Sequence, residues 1–368
     1  MMINKYNKIV IKIGSSSIIN SKTKKINSKW MASFCKDISK IYKNTKIVIV
    51  CSGAIALGSN LIKKNKNLRK LEDKQAAASI GQIELAHQWK QHLKKYKINI
   101  AQILLTLDDS EIRRRYLNAR NTMNSLLANN IIPVINENDT VATEEIKYGD
   151  NDRLAARVSQ MIDADLLILL SDIDGLYDKN PIKNKNAKKI DEVFKINKSI
   201  ERMANSQTSS IGSGGMVTKI WAAKICMNNG CNTIITNSNK SKPLLSISNQ
   251  NSTIFYATKN PSSSRKQWLL NHLHASGFIK IDEGAYKAIL NNKSLLPAGV
   301  IEVGGKFNRG DIISVYHPKK EKVAVGVSAY DINEARKIIG KKSRDISKIL
   351  GYEGRDEIIH KDNLVKTI

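Results

Sequence analysis

The sequence has no CxxC pair: Cys35, Cys51, Cys226 and Cys231 are scattered along the chain. That spacing argues against a zinc site and for reduced thiols in a cytoplasm. It also has no apolar run near the eighteen or so residues of a membrane span; LLILL, at 166–170, has the length of a buried strand. The start, MMINKYNKIVIKIG, lacks a long apolar stretch followed by a small-residue cleavage site, so no secretory signal is expected. Neither GxxxxGK[ST] nor the HRD and DFG pair occurs, which excludes a P-loop enzyme and a protein kinase. Acidic side chains are few, 33 Asp+Glu against 60 Lys+Arg, for a net charge of +27 over 368 residues.

Such an excess points to nucleic acid or to an anionic substrate. Residues 275–368 hold 17 basic and 12 acidic side chains, so +22 of the +27 falls on residues 1–274. Much of it sits in Lys/Asn-rich segments, KTKK (22–25), KKNKNLRK (63–70) and KNKNAKK (183–189), whose plain reading is solvated loop. Where acid is scarce, a cluster of it is informative. YGDNDRLAARV (148–158) sets Asp150, Asn151 and Asp152 together ahead of an apolar helical run. One such residue satisfies a helix start, so three in a row suggest a second task.

The runs KIVIKIG (8–14), KIVIVCSG (46–53), INIAQILLT (98–106), IIPVIN (131–136), DLLILLSD (165–172) and NTIITN (232–237) read as strands. Helical patterns lie between them at 28–43, 74–95, 115–129 and 151–161. Strands apolar throughout and separated by helices predict an α/β sandwich around a mostly parallel sheet. After NPSSSRKQWLLNH the pattern changes to short strands with Gly-rich turns, which predicts a small β-barrel with one or two short helices beyond a boundary near 265–275.

In open parallel sheets, ligands sit at the carboxyl ends of strands. There the sequence sets Lys12 and Gly14 (KIGSSS), Ser52 and Gly53 (CSGAIALG), NENDTVA (136–142) and SDIDGLYD (171–178), with GSGGMVTKIWAAK (212–224) in the loop before another helix. Each has an ordinary reading: a snorkelling lysine, a tight turn, a flexible linker. Their shared position favours phosphoryl transfer, with Gly-rich turns offering backbone N–H groups to phosphate and Lys12 and Lys219 neutralising developing charge.

KIGSS, VCSGAIALG, PVINENDTVATEEIKYGDNDRLAARV, LLSDIDGLYD and GSGGMVTK together resemble the glutamate 5-kinase family, enzymes of the amino-acid-kinase αβα sandwich fold. IDEGAYKAIL, SLLPAGVIEVGGKFNRGD and GVSAYDINEARKIIG resemble the PUA domain that many members carry. The resemblance implies a kinase domain over 1–265 with ATP and glutamate sites, a PUA-like domain over 275–360, and phosphorylation of the γ-carboxylate of L-glutamate as the first step towards proline. It implies that Asn136, Asp139, Asp150 and Asn151 line the amino-acid pocket, that Ser52 receives a substrate carboxylate, and that Asp152 orients Lys12 and Lys219. The nucleotide site would comprise Lys12, Gly14, Ser171, Asp172 and the loop Ser213, Gly214, Gly215, Met216, Val217, Thr218 and Lys219. Mg²⁺ would be held through the ATP phosphates. Three positions depart from the common pattern: Ser171 and Ser213 stand where Thr is frequent, and Cys51 precedes the Ser-Gly turn.

The resemblance further implies feedback inhibition by proline near 108–147, a homo-oligomer (dimer or tetramer) and glutamyl phosphate reductase as a downstream partner; no membrane partner is expected from the lack of long apolar runs, and nucleic acid is the disfavoured reading. Two other readings stay open. One is a kinase of the same fold for N-acetylglutamate, aspartate or carbamate, although the acidic cluster argues for a free amino group. The other is RNA binding through the PUA-like part.

Overall fold

A computed structural model describes residues 2–20, 23–62, 70–106, 108–141, 151–206, 215–258, 275–319 and 322–367. The chain divides into two units, Met1–Ser262 and Ser263–Ile368. The first begins β1 (Lys8–Ile13), α1 (Ser15–Ile18), α2 (Ser28–Ile41), β2 (Lys46–Cys51), α3 (Ala54–Gly58), α4 (Leu71–Lys94) and β3 (Ile100–Leu105). It continues with α5 (Asp108–Glu111), α6 (Arg113–Ala128), β4 (Ile132–Glu137), α7 (Asn151–Met161), β5 (Leu166–Ser171), β6 (Leu176–Tyr177), β7 (Lys189–Ile190) and β8 (Glu192–Val193). It ends with α8 (Lys198–Ser206), α9 (Met216–Asn228), β9 (Asn232–Asn237) and β10 (Ser252–Phe255).

Eight of these strands form one sheet in the order β3-β4-β2-β1-β5-β9-β10-β8. Pairing is parallel from β3 to β9 and between β8 and β10, while β10 runs antiparallel to β9. The chain leaves β1 first towards β2 and later returns to place β5 on its other side, so β1 borders the switch point where a crevice opens beyond the strand ends.

Strand periodicity sorts the core. Ile9, Ile11 and Ile13 face Trp30 and Phe34 of α2 and Trp89 of α4. Val10 faces the opposite way, with Leu154 and Val158 of α7 and Ala222 and Ala223 of α9. Lys12 shares the parity of Val10 and therefore emerges on the side of α7 and α9. On the other side, α3 crosses α4 with backbones nearly touching: a Cβ on Gly58 would lie 1.9 Å from the Ala77 carbonyl oxygen, and one on Gly81 would lie 1.8 Å from that of Ala54. That crossing fixes α3, and so the turn Ser52–Gly53 that opens it.

Two features differ from the sequence-based expectation in detail. Met216–Lys219 form the first turn of α9 and not a loop, because Gly215 occupies the N-cap in extended conformation. Ser252–Phe255 adds an antiparallel strand, too short to register as a separate run.

The second unit comprises β11 (Gly277–Ile281), α10 (Glu283–Leu290), β12 (Val300–Gly305), β13 (Ile312–Tyr316), β14 (Lys322–Val327), α11 (Ile332–Ile338), α12 (Ile346–Leu350) and β15 (Leu364–Lys366). Its five-stranded sheet runs β12-β11-β13-β14-β15 over a separate core that includes Ile279, Ile313, Val315 and Tyr330. Asp282 caps α10, and Asp331 with Glu334 closes a capping box on α11. Among the described residues, no helix is long and apolar enough to cross a membrane.

Candidate active site

Three elements converge on one carboxylate at the carboxyl end of β1. Asp152, in the first turn of α7, is fully buried. Its Oδ1 lies 2.6 Å from Lys12 Nζ and its Oδ2 lies 3.2 Å from Lys219 Nζ. The Thr218 hydroxyl is 2.9 Å from the same Oδ2. Burial by itself would raise this carboxyl, but the two ammonium groups and the hydroxyl outweigh it and hold it at about 2. One carboxylate between two ammonium groups leaves a surplus positive charge at the sheet's switch point, suited to an anion that gains charge during reaction.

The residue before Asp152 serves a different cluster. The Asn151 Nδ2 group is 2.9 Å from the Cys51 carbonyl oxygen, 2.6 Å from Ser52 Oγ and 3.1 Å from Asn136 Oδ1. Asn136 Oδ1 also accepts from the Glu137 N–H, at 2.9 Å. These contacts leave two buried polar atoms, Asn136 Nδ2 and Asn151 Oδ1, without a hydrogen-bond partner among the described residues. A fixed donor beside a fixed acceptor suits a ligand carrying both a carboxylate and an ammonium group. Ser52 is held in reach because Gly53, at φ +119°, takes a turn that L side chains rarely adopt; a Cβ there would also meet Ile19 Cδ1 at 2.6 Å. Asp139 follows β4, and burial pushes its carboxyl up to about 6. Asp150 lies outside the described residues.

On the other flank, Ser171 ends β5 and its hydroxyl donates to Asp172 Oδ1 at 2.9 Å. The neighbouring end of β9 braces this turn: Asn237 Nδ2 donates to the Asp172 carbonyl at 3.1 Å, and the Ser238 N–H to the Ser171 carbonyl at 2.7 Å. The hydroxyls of Ser238 and Ser17 are 2.7 Å apart, which ties the end of β9 to α1. Gly14 opens α1 at φ −72°, and among the described residues a Cβ there would find only Ser16 Oγ at 3.8 Å and the Leu170 carbonyl at 4.0 Å. Gly215, Met216, Val217, Thr218 and Lys219 enter α9, whose N-terminus has no side-chain cap among the described residues. Ser213 and Gly214 lie outside the described residues.

Lys12, Asp152, Lys219 and Thr218 are thus brought into one cluster, and Ser52, Asn136 and Asn151 into another. Sequence reasoning missed Asn237, Ser238 and Ser17; their polar signal, NSN after β9, gains meaning only once β9 is known to neighbour β5. It grouped Thr218 with the nucleotide site and did not foresee that its hydroxyl lies 2.9 Å from Asp152 Oδ2. Among the described residues, no three His, Cys, Asp or Glu side chains gather as a metal site.

The profile of the amino acid kinase family matches residues 7–237, and that of the PUA domain matches residues 277–350. A glutamate 5-kinase of Paramagnetospirillum magneticum is 46% identical over 360 residues, 97% of each chain. One from Rhizobium rhizogenes is 48% identical over 99% of this chain and 94% of its own. One from Pelagibacter ubique is 48% identical over 97% of this chain and 98% of its own. With both domain profiles matched in order and identity sustained along nearly its whole length, the chain belongs to the glutamate 5-kinase family.

Proposed function

We propose that this chain transfers the γ-phosphoryl group of ATP to the γ-carboxylate of L-glutamate, giving ADP and L-glutamyl 5-phosphate, the first step of proline biosynthesis. The observation that carries this reading is the junction at the start of α7, where Asn151 serves an amide cluster with an open donor and acceptor while Asp152 bridges two lysines. The acidic and amide residues of this segment thus have work beyond capping a helix.

The acceptor needs no general base, because a carboxylate with a pKa near ~4.3 is already ionised at neutral pH. Catalysis is then alignment and charge stabilisation. Lys12, with Gly14, holds the transferring phosphoryl group, and Lys219 acts on the leaving side. Asp152, ionised far below neutral pH, aims both ammonium groups and takes no proton. Ser52 and Asn136 receive substrate carboxylate; Asn151 and Asp139, with Asp150, receive the α-ammonium. ATP enters as its magnesium complex against Ser171, Asp172 and the start of α9. Both oxygens of Asp152 face ammonium groups, so the magnesium is carried by the nucleotide phosphates and not by this carboxylate.

On the same reading we assign both substrate sites to residues 1–265 and the PUA-like domain to 275–360. The family resemblance adds proline as a feedback inhibitor, a dimeric or tetrameric assembly, glutamyl phosphate reductase as consumer of the product, and a cytoplasmic location.

The test is ADP release with Mg-ATP and a panel of acids, with hydroxylamine present to trap any acyl phosphate. Hydroxamate formed with L-glutamate, and not with N-acetylglutamate or aspartate, is expected. Background turnover with glutamate beside activity on another acid would overturn the substrate assignment.

A further inference from the structure

Thr218 has one hydroxyl proton and two acceptors at equal distance. Its Oγ1 lies 2.9 Å from Asp152 Oδ2 and 2.9 Å from the Gly215 carbonyl oxygen. The Gly215 carbonyl has another donor, the Thr218 N–H at 3.2 Å. Asp152 is charged and fully buried, so the carboxylate is the stronger claimant for the proton. The hydroxyl is therefore turned away from the Gly215 carbonyl and towards the carboxylate that Lys12 and Lys219 share.

During phosphoryl transfer the two ammonium groups have to face the phosphoryl oxygens. As they do so their hold on Asp152 weakens, and a buried carboxylate oxygen losing its donor is costly. We propose that Thr218 is a positioning residue for this transfer: its hydroxyl is the uncharged donor that keeps Asp152 anchored to α9 while Lys12 and Lys219 turn to the phosphoryl group. A neutral hydroxyl is suited to this because phosphate does not draw it as it draws an ammonium. The same bond ties Thr218, in the first turn of α9, to that carboxylate, so the helix start and Lys219 keep one register with Asp152.

The inference rests on the kinase reading above, and the experiment separates the two. Glutamate-dependent hydroxamate formation by the unaltered chain is measured first; its absence overturns the kinase reading and the role of Thr218 with it. With that activity in hand, Thr218→Val, which keeps the shape and removes the hydroxyl, is expected to lower kcat about 10- to 100-fold with KM for glutamate within about threefold. Thr218→Ser is expected to restore kcat to within about threefold. Asp152→Asn supplies the second background: if Thr218 acts through Asp152, adding Thr218→Val to Asp152→Asn changes kcat by less than about twofold. Near-normal kcat in Thr218→Val, failure of serine to rescue, or additive losses in the double variant would each overturn the proposal while leaving the kinase reading intact. Should Thr218→Val fold poorly by circular dichroism, the serine variant alone and combined with Asp152→Asn carries the test.

Discussion

The two ends of the candidate site meet at adjacent residues and solve opposite problems. At the phosphoryl end, the charges are matched before any ligand arrives: each oxygen of Asp152 faces an ammonium group. At the proposed amino-acid end, neutral amides dominate, and Asn136 Nδ2 and Asn151 Oδ1 are buried without a partner among the described residues. The difference follows from cost. A buried charge without a partner is penalised heavily, whereas an unmatched amide atom costs about 1–3 kcal/mol. On the proposed reading, the fold leaves the amide end for a ligand to complete and closes the charged end in advance.

The comparison is broken most severely by removing a charge from the closed end. Lys12→Ala is expected to reduce kcat on the order of 10²–10³, as for other lost transition-state donors, with the fold retained by circular dichroism. Near-normal turnover would remove Lys12 from the mechanism. At the open end, Asn136→Ala removes the Nδ2 donor assigned to the ligand, together with the Oδ1 that accepts from Asn151 Nδ2 and the Glu137 N–H. Its expected effect is a rise in KM for glutamate of about 10- to 100-fold, with kcat within a few-fold. Equal losses in both parameters would mean that the amide acts in the transition state, and the two ends would no longer be separate in function.

A pH profile sharpens the same contrast. Burial lifts Asp139 to about 6, so the stability gained by its protonation is lost as pH rises through about 6. Asp152 sits near 2, so its contribution is present above the ordinary carboxylate range and lost only as pH falls through about 2. Between pH 5 and 7 the Asp139 carboxyl titrates while that of Asp152 stays ionised. If Asp139 receives the substrate ammonium, kcat/KM for glutamate falls below pH 6, approaching about tenfold per unit, while kcat at saturation changes far less. Asp139→Asn should flatten the profile at a lower plateau. An unaltered chain with a flat profile over this range would exclude Asp139 from ammonium binding.

Much of this architecture was legible in the chain. Lys12 inside an otherwise apolar strand, and the polar residues that follow successive strand runs, located the crevice because strand period and connection order are local properties. Partnerships that depend on two distant segments were not. The Gly58–Gly81 crossing is a backbone contact between helices whose glycines each look like ordinary helix interruptions. The brace from Asn237 and Ser238 to Ser171 and Asp172 required knowing which strands are neighbours. Thr218 stood within a glycine-rich segment and was grouped with it, although its hydroxyl is directed across to α7. Residue type identified the groups that can act, and tertiary placement decided on what.

The smallest expected effect concerns Cys51, whose backbone borders the open end. Its carbonyl accepts from Asn151 Nδ2 at 2.9 Å, yet its side chain lies in the core layer that contains Trp89. Burial pushes the thiol up to about 12, against the opposing pull of the Trp89 indole N–H. The buried Trp89 Nε1 otherwise has no hydrogen-bond partner among the described residues. In Cys51→Ser the hydroxyl oxygen accepts better than sulfur, which favours the fold, but the smaller atom gives up apolar packing, which opposes it. Each of these contributions is of order 1 kcal/mol, so stability in denaturant should stay within about 1 kcal/mol of the unaltered chain. KM and kcat should stay within about twofold, because the substitution acts on the side of the strand away from the amide cluster. A KM for glutamate shifted more than about fivefold would show that the layer behind β2 moves the Ser52–Asn151 pair, and that the open end depends on its packing as well as on its hydrogen bonds.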